Sequence, residues 1–167
     1  MLINRGHILF WSGMLSNWAR TPYTWEGIHF DNSEQHYMYL KAKHFGDEET
    51  AAKILTETSP KIVKALGRKV VGYDDRNWET HRENAMHEAC YAKFSGNKKA
   101  YDFMMSLPRN RYFAEASPYD TIWGIGWEEN PPNAAVPGAW RGRNLLGNVL
   151  NRVRATLLNE KSKTLFE

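Results

Sequence analysis

The chain predicts an α+β fold: a single, mainly helical domain over residues 1–167 with a small, largely N-terminal sheet. Three observations carry this expectation. Short β-forming runs occupy the first thirty residues, and helix start and stop signals recur from Asp31 onward. A long apolar stripe of helical period closes the chain. A length of 167 residues suits one domain with a real hydrophobic core.

The elements follow in order. ILFW at 8–11 ends at Ser12-Gly13 and reads as a strand, and YTWEGIHF at 23–30 reads as a hairpin or two short edge strands around Glu26-Gly27. Asn32 with Gln35, and Asp31 with Glu34, make capping-box-like pairs, so a helix starts near Ser33 and ends at Phe45-Gly46. Asp47 opens a second helix through about Thr56, with Ala51, Ala52, Ile54 and Leu55 inward. Ser59-Pro60 begins a short third helix that Gly67 ends as a C′ glycine, with residues 69–72 extended beyond it. Asp75 caps a long helix from about Arg76 to Phe94, whose inner stripe is Trp78, Ala85, Ala89 and Ala92. Residues 98–107 form another helix, stopped by Pro108, and 112–116 a short strand. Glycines and prolines break up the next stretch. In the last helix Leu146, Val149, Leu150, Val153 and Leu157 share one face, with Arg152 and Arg154 off it.

Composition narrows the function classes. Apolar residues make up 42% and charged residues 25%, ordinary for a globular chain. The net charge of +3 fits a phosphate-bearing ligand as well as it fits none in particular, and no Lys/Arg run marks a nucleic-acid surface. The single Cys90 excludes an intramolecular disulfide framework and a cysteine-based zinc site. The apolar patch near the N-terminus is too short for a signal peptide or membrane span, so the cytoplasm is the default compartment and no membrane is expected. The six histidines show no ligand pattern, and neither a metal nor a cofactor is expected. Oligomeric state is not legible.

Four stretches depart from what folding alone requires. SEQHYM, with Lys41 following, puts Glu34, Tyr37, Met38 and Lys41 on one helix face. Glu34 there either complements the helix dipole or lines a pocket. LGRKVVGYDDRNWE holds Arg68, a cap for helix carbonyls or a partner for phosphate, and Trp78, a core anchor or a stacking surface. EASPYDTIWGIGW places Glu115 and Asp120 on either side of a Ser-Pro turn and sets Trp123 beside glycines, in a loop too glycine-rich for a core. In AWRGRNLLGN, Asn144 is expected to cap the final helix, leaving first-turn amides beside Arg141 and Arg143 as an anion site. Gly147 in that first turn implies something packed closely against the backbone.

Read in order, these stretches resemble the YbiA-like, or NADAR, family. Phe10, then Gly13-Met14-Leu15-Ser16-Asn17-Trp18, then Ser33-Glu34-Gln35-His36-Tyr37-Met38, Lys41-Ala42 and Phe45 match its opening. Ser59-Pro60, Leu66-Gly67-Arg68, Asn77-Trp78, Tyr91-Ala92-Lys93-Phe94, Glu115-Ala116-Ser117-Pro118, Asp120, Trp123-Gly124-Ile125-Gly126 and Asn144-Leu145-Leu146-Gly147 continue it, so the motifs span about residues 9–158.

The resemblance implies N-glycosidase chemistry at a ribose C1′. One branch of the family removes ADP-ribose from guanine in nucleic acid; another hydrolyses phosphoribosylated intermediates of riboflavin synthesis. A non-catalytic sensor of NAD or ADP-ribose derivatives is the third reading. The expected substrate contains ADP-ribose or a ribose phosphate, with ADP-ribosylated DNA or RNA as its macromolecular form. The family's functional Glu, Trp and Asp fall on Glu34, Trp78 and Asp120. Glu34 is expected to stabilise charge or act as base, Asp120 to assist, and Lys41 to offer a Schiff-base alternative. Trp78 would stack on base or ribose. Arg68 and the helix end at Asn144 and Gly147 would hold phosphate, aided by Arg141 or Arg143. Asn17, Tyr37, Glu115, Trp123 and Gly124 complete the expected binding set. One departure is Ile125 in WGIG, where the riboflavin-type enzymes carry a polar residue; with the long WEENPPNAAVPGAWRGRN loop, it leaves the branch open.

Overall fold

A computed structural model describes residues 1–130 and 132–164. Strands β1 (Leu2–Ile3), β2 (His7–Phe10), β3 (Tyr23–Trp25) and β4 (Ile28–Phe30) come first. Helices α1 (Ser33–His44), α2 (Glu48–Thr56), α3 (Pro60–Gly67), α4 (Asp75–Gly96) and α5 (Lys98–Ser106) follow. Strand β5 (Tyr112–Glu115), two short 3-10 turns and α6 (Leu145–Thr164) complete the order. The predicted class, α+β and mainly helical, is the observed one. The chain divides into two compact units: Asn17–Lys99, and the N-terminal sixteen residues together with the chain from Ala100 onward.

In the middle unit, α1 packs against α2, α3 and α4, and α4 packs on β3. β3 and β4 pair antiparallel through a turn in which both Glu26 and Gly27 have positive φ. Two positive φ values at the central residues match the twist of a two-residue hairpin. Asn32 caps α1, its Oδ1 accepting from the Gln35 amide, and Gly46 follows the helix at φ 72. Several local expectations need correction. On α2, Ala51 and Ile54 are buried, Leu55 is half-buried and Ala52 faces solvent. Gly67 is the last helical residue rather than a left-handed stop, and glycine is needed there because a Cβ would collide with the Met38 side chain. Residues 68–72 are turns, and Asp74, not Asp75, caps α4 by accepting from the Asn77 amide. The buried face of α4 runs through Trp78, Arg82, Met86, Ala89 and Lys93, while Ala85 is only half-buried.

In the other unit, β2 is the central strand of the order β1-β2-β5. It pairs antiparallel with β1 and parallel with β5, opposing Ile8 to Phe113 and Leu9 to Ala114. The core joins Leu9, Ala114, Ala116, Ile125 and Ala134, with Trp127 and Trp140 packed on it. Helix α6 lies on β5, and its Leu146, Val149, Leu150, Val153 and Leu157 are buried as the stripe required. Arg154, off that stripe, is nevertheless buried: its guanidinium donates to the Pro108 and Arg111 carbonyls and stacks 4.3 Å from the Phe113 ring centroid. Those carbonyls lie on the turn entering β5, so the arginine fastens α6 to it.

Candidate functional site

The first two turns of α1 are buried on every side. Residues Ser33 through Met38 all lie inside although most are polar, so each polar atom must find a partner or a task. Most find structural partners. Gln35 donates to the Ile54, Leu55 and Glu57 carbonyls at the end of α2 and accepts from the Asp31 amide. Ser33 donates to Asn17 Oδ1 at 2.9 Å, and Asn17 Nδ2 reaches Met86 Sδ. Asn17 thereby pins its loop to α1 and α4. His36 stacks on Phe30 at 4.1 Å and meets the Tyr23 hydroxyl at 3.2 Å. Burial holds its pKa down, at about 4. Glu34 is the buried acid of the helix, 5% exposed. A solvated face is therefore excluded for Glu34.

Tyr37 lies one turn along from Glu34, and its hydroxyl accepts from Trp78 Nε1 at 3.1 Å. Trp78, on the first turn of α4, is a largely buried ring held by that hydrogen bond, and it lines the groove described below. Burial raises the Tyr37 pKa above the phenol range, with the Glu34 carboxylate adding to that rise and the Arg82 guanidinium opposing it. Lys41 continues the column, its ammonium 4.1 Å from the Tyr73 ring centroid. Its pKa is lowered, first by burial and next by Arg82; Asp75 raises it and Arg68 lowers it further. Glu34, Tyr37, Lys41, Trp78 and Arg68 are thus brought together around the α1–α4 contact, with Tyr73, Asp75 and Arg82 added to them. Arg82 was not legible as a site residue. Its only sequence signal was its place one turn beyond Trp78.

Beside Trp78 runs a shallow groove lined by His44, His81, Asn84 and Glu88. The rings of His44 and His81 lie 4.3 Å apart although the sequence separates them widely. Both hydrogen-bond to Asn77, His44 through its side-chain oxygen and His81 through its backbone carbonyl.

Glu115, Asp120, Trp123, Gly124, Arg143, Asn144 and Gly147 belong to the other unit. There Asp120 Oδ1 accepts from the Ile122 and Trp123 amides at 3.0 and 2.7 Å, closing a turn. Gly124 is required by packing, because a Cβ would meet the Asp120 and Glu115 carbonyl oxygens at 2.9 and 3.0 Å. Glu115 is half-buried at the end of β5, Trp123 is half-buried, and Arg143 is exposed. Arg141 stacks on the Trp127 ring at 3.6 Å.

The expected anion site at the start of α6 is closed. The Asn144, Leu145 and Leu146 amides donate to the Gly124, Ile122 and Trp123 carbonyls. Nor does the Asn144 side chain cap the helix: Oδ1 accepts from the Glu115 amide and Nδ2 donates to the Phe113 carbonyl. Gly147 does permit a close backbone approach, but what approaches is the Phe113 carbonyl of β5. Among the described residues, no three or more His, Cys, Asp or Glu side chains gather to hold a metal ion, and no helix is long and apolar enough to cross a membrane.

The fold is that of an α+β protein in which α1 and α4 pack together and flank a shallow groove. Residues 9–158 match the NADAR domain family, and the chain belongs to that family. It is 40% identical over 134 residues to protein irg-1 of Caenorhabditis elegans, a match covering 78% of this chain and 62% of the nematode protein. It is 35% identical over 131 residues to N-glycosidase R617 of Acanthamoeba polyphaga mimivirus, covering 77% of this chain and 75% of that one. The solved structure of YbiA from E. coli superposes with a TM-score of 0.75 at 27% identity, over 96% of this chain and 89% of that one.

Proposed function

We propose that this chain is an N-glycosidase that hydrolyses the C–N bond at a ribose C1′, and that its substrate is ADP-ribose joined to guanine in nucleic acid. The observation that carries the reading is the burial of Glu34 beside Tyr37, on the face of α1 that continues to Lys41. Relatives named as N-glycosidases support the reaction class.

As the C1′–N bond breaks, its electron pair leaves with the base nitrogen, which regains a proton. Positive charge then spreads over C1′ and the ring oxygen until water adds at C1′ and gives up a proton. A carboxylate fixed in a buried site stabilises that charge far better than one in water. Glu34 supplies it, or takes the proton of the attacking water. The hydrogen bond from Trp78 fixes the Tyr37 hydroxyl beside that acid, and the cations around Lys41 suit a phosphate-bearing substrate.

The test is a chromatographic assay on guanine-linked ADP-ribosylated DNA with wild type and Glu34→Gln in parallel. The expected outcome is ADP-ribose release by wild type, reduced by about 10²-fold or more in the variant. Absence of release by wild type would sink the substrate assignment.

A further inference from the structure

Arg82 lies on the buried face of α4 and is 7% exposed. A guanidinium carries five N–H donors and no acceptor, so burial demands acceptors around it. The surroundings supply few. Nε is buried without a hydrogen-bond partner. The carboxylate paired with it, Asp75, places Oδ1 3.6 Å from Nη2, beyond hydrogen-bond length. Asp75 is itself 74% exposed and accepts from the Tyr73 hydroxyl at 2.7 Å, which holds it at the rim.

The neighbourhood is also rich in cations. Lys41 lies over the Tyr73 ring, and both Arg82 and Arg68 disfavour its charged form. Across this cluster Asp75 is a loosely placed, solvated counterion. The first-turn amides of α6, the other anion site expected from the sequence, already donate to loop carbonyls.

We propose that Arg82 is an anion-binding residue: the Nε–Nη2 edge of its guanidinium takes two oxygens of a substrate phosphate, and Asp75 occupies that place until the phosphate displaces it. That edge presents two parallel N–H groups, the fork that matches a phosphate. Which phosphate it holds rests on the glycosidase reading; for an ADP-ribose conjugate it belongs to the pyrophosphate.

Isothermal titration of the whole chain with ADP-ribose, inorganic pyrophosphate and uncharged adenosine tests this. Arg82→Lys keeps the charge and loses the fork, so it should weaken both anions by about tenfold or more and leave adenosine unaffected. Asp75→Asn removes the competing charge and should tighten both anions by about threefold. Melting curves establish which variants fold, and if neither Arg82→Lys nor Arg82→Gln does, Asp75→Asn decides. Undiminished pyrophosphate binding in a folded Arg82 variant overturns the assignment. So does unchanged or weaker binding in Asp75→Asn, or absence of anion binding by wild type. Failure of turnover with intact, Arg82-dependent binding would instead count against the glycosidase reading alone.

Discussion

Gly147 sets two opposing effects against each other at one residue. Alanine in its place gains roughly 1 kcal/mol of helix propensity. Its Cβ, however, meets the Phe113 carbonyl, a backbone group held in the sheet that cannot turn aside. Overpacking of this kind costs about 1–3 kcal/mol, so collision wins and Gly147→Ala is expected to lower the urea midpoint. A higher midpoint would show that α6 can shift away from β5. Residue type singled out the helix face that carries Glu34 but left the acid's role open between helix dipole and pocket; the family resemblance made it a candidate. Residue type could not locate Arg82, because a periodic reading of α4 sends small apolar residues inward and charged ones outward. A buried arginine breaks that rule only for chemistry that lies elsewhere in the chain.

Among the elements, β5 shows how a short strand completes its hydrogen bonding. One edge pairs with β2. The other is served by α6: Asn151 accepts from the Phe113 amide, while Asn144 takes both the Phe113 carbonyl and the Glu115 amide. Asn144 directly precedes α6 and Asn151 lies within its first two turns. Asn144 also sits at φ 52, where alanine is strained. Asn144→Ala therefore leaves two strand groups without partners and should destabilise by about 3 kcal/mol in denaturant titration. A loss below about 1 kcal/mol would show that water replaces the amide. The stripe of α6 was legible because its burial is apolar and periodic. The role of Asn144 was not, since a cap and a strand clasp use the same residue type before a helix. Helix α1 was legible in its bounds but not in its burial: a polar segment is hidden only where each partner comes from a distant element, as Gln35 shows with the end of α2.

For the molecule as a whole, buried titratable groups set the pH range of stability. His36 is neutral in the fold, its pKa at about 4 against an ordinary 6.5. The unfolded chain binds the proton first, so stability falls as pH drops through about 6.5 and levels off below about 4, by at most about 3 kcal/mol. Tyr23 and Tyr37 act at the other end. Burial raises both pKa values above the ordinary 10.0, so stability falls as pH climbs past that value. Melting temperature against pH should show both limbs, and in His36→Gln the acid limb should flatten; an unchanged acid slope would assign it to other groups.

The parallel pairing of β2 with β5 has a consequence for synthesis. On the ribosome, Ile8, Leu9 and Phe10 emerge about a hundred residues before the strand that covers them. The stretch from Asn17 to Lys99 is continuous and can collapse as it is made. Strand β2, apolar and paired only with β1, must wait for β5, and during that wait it offers its other edge to any neighbouring nascent copy.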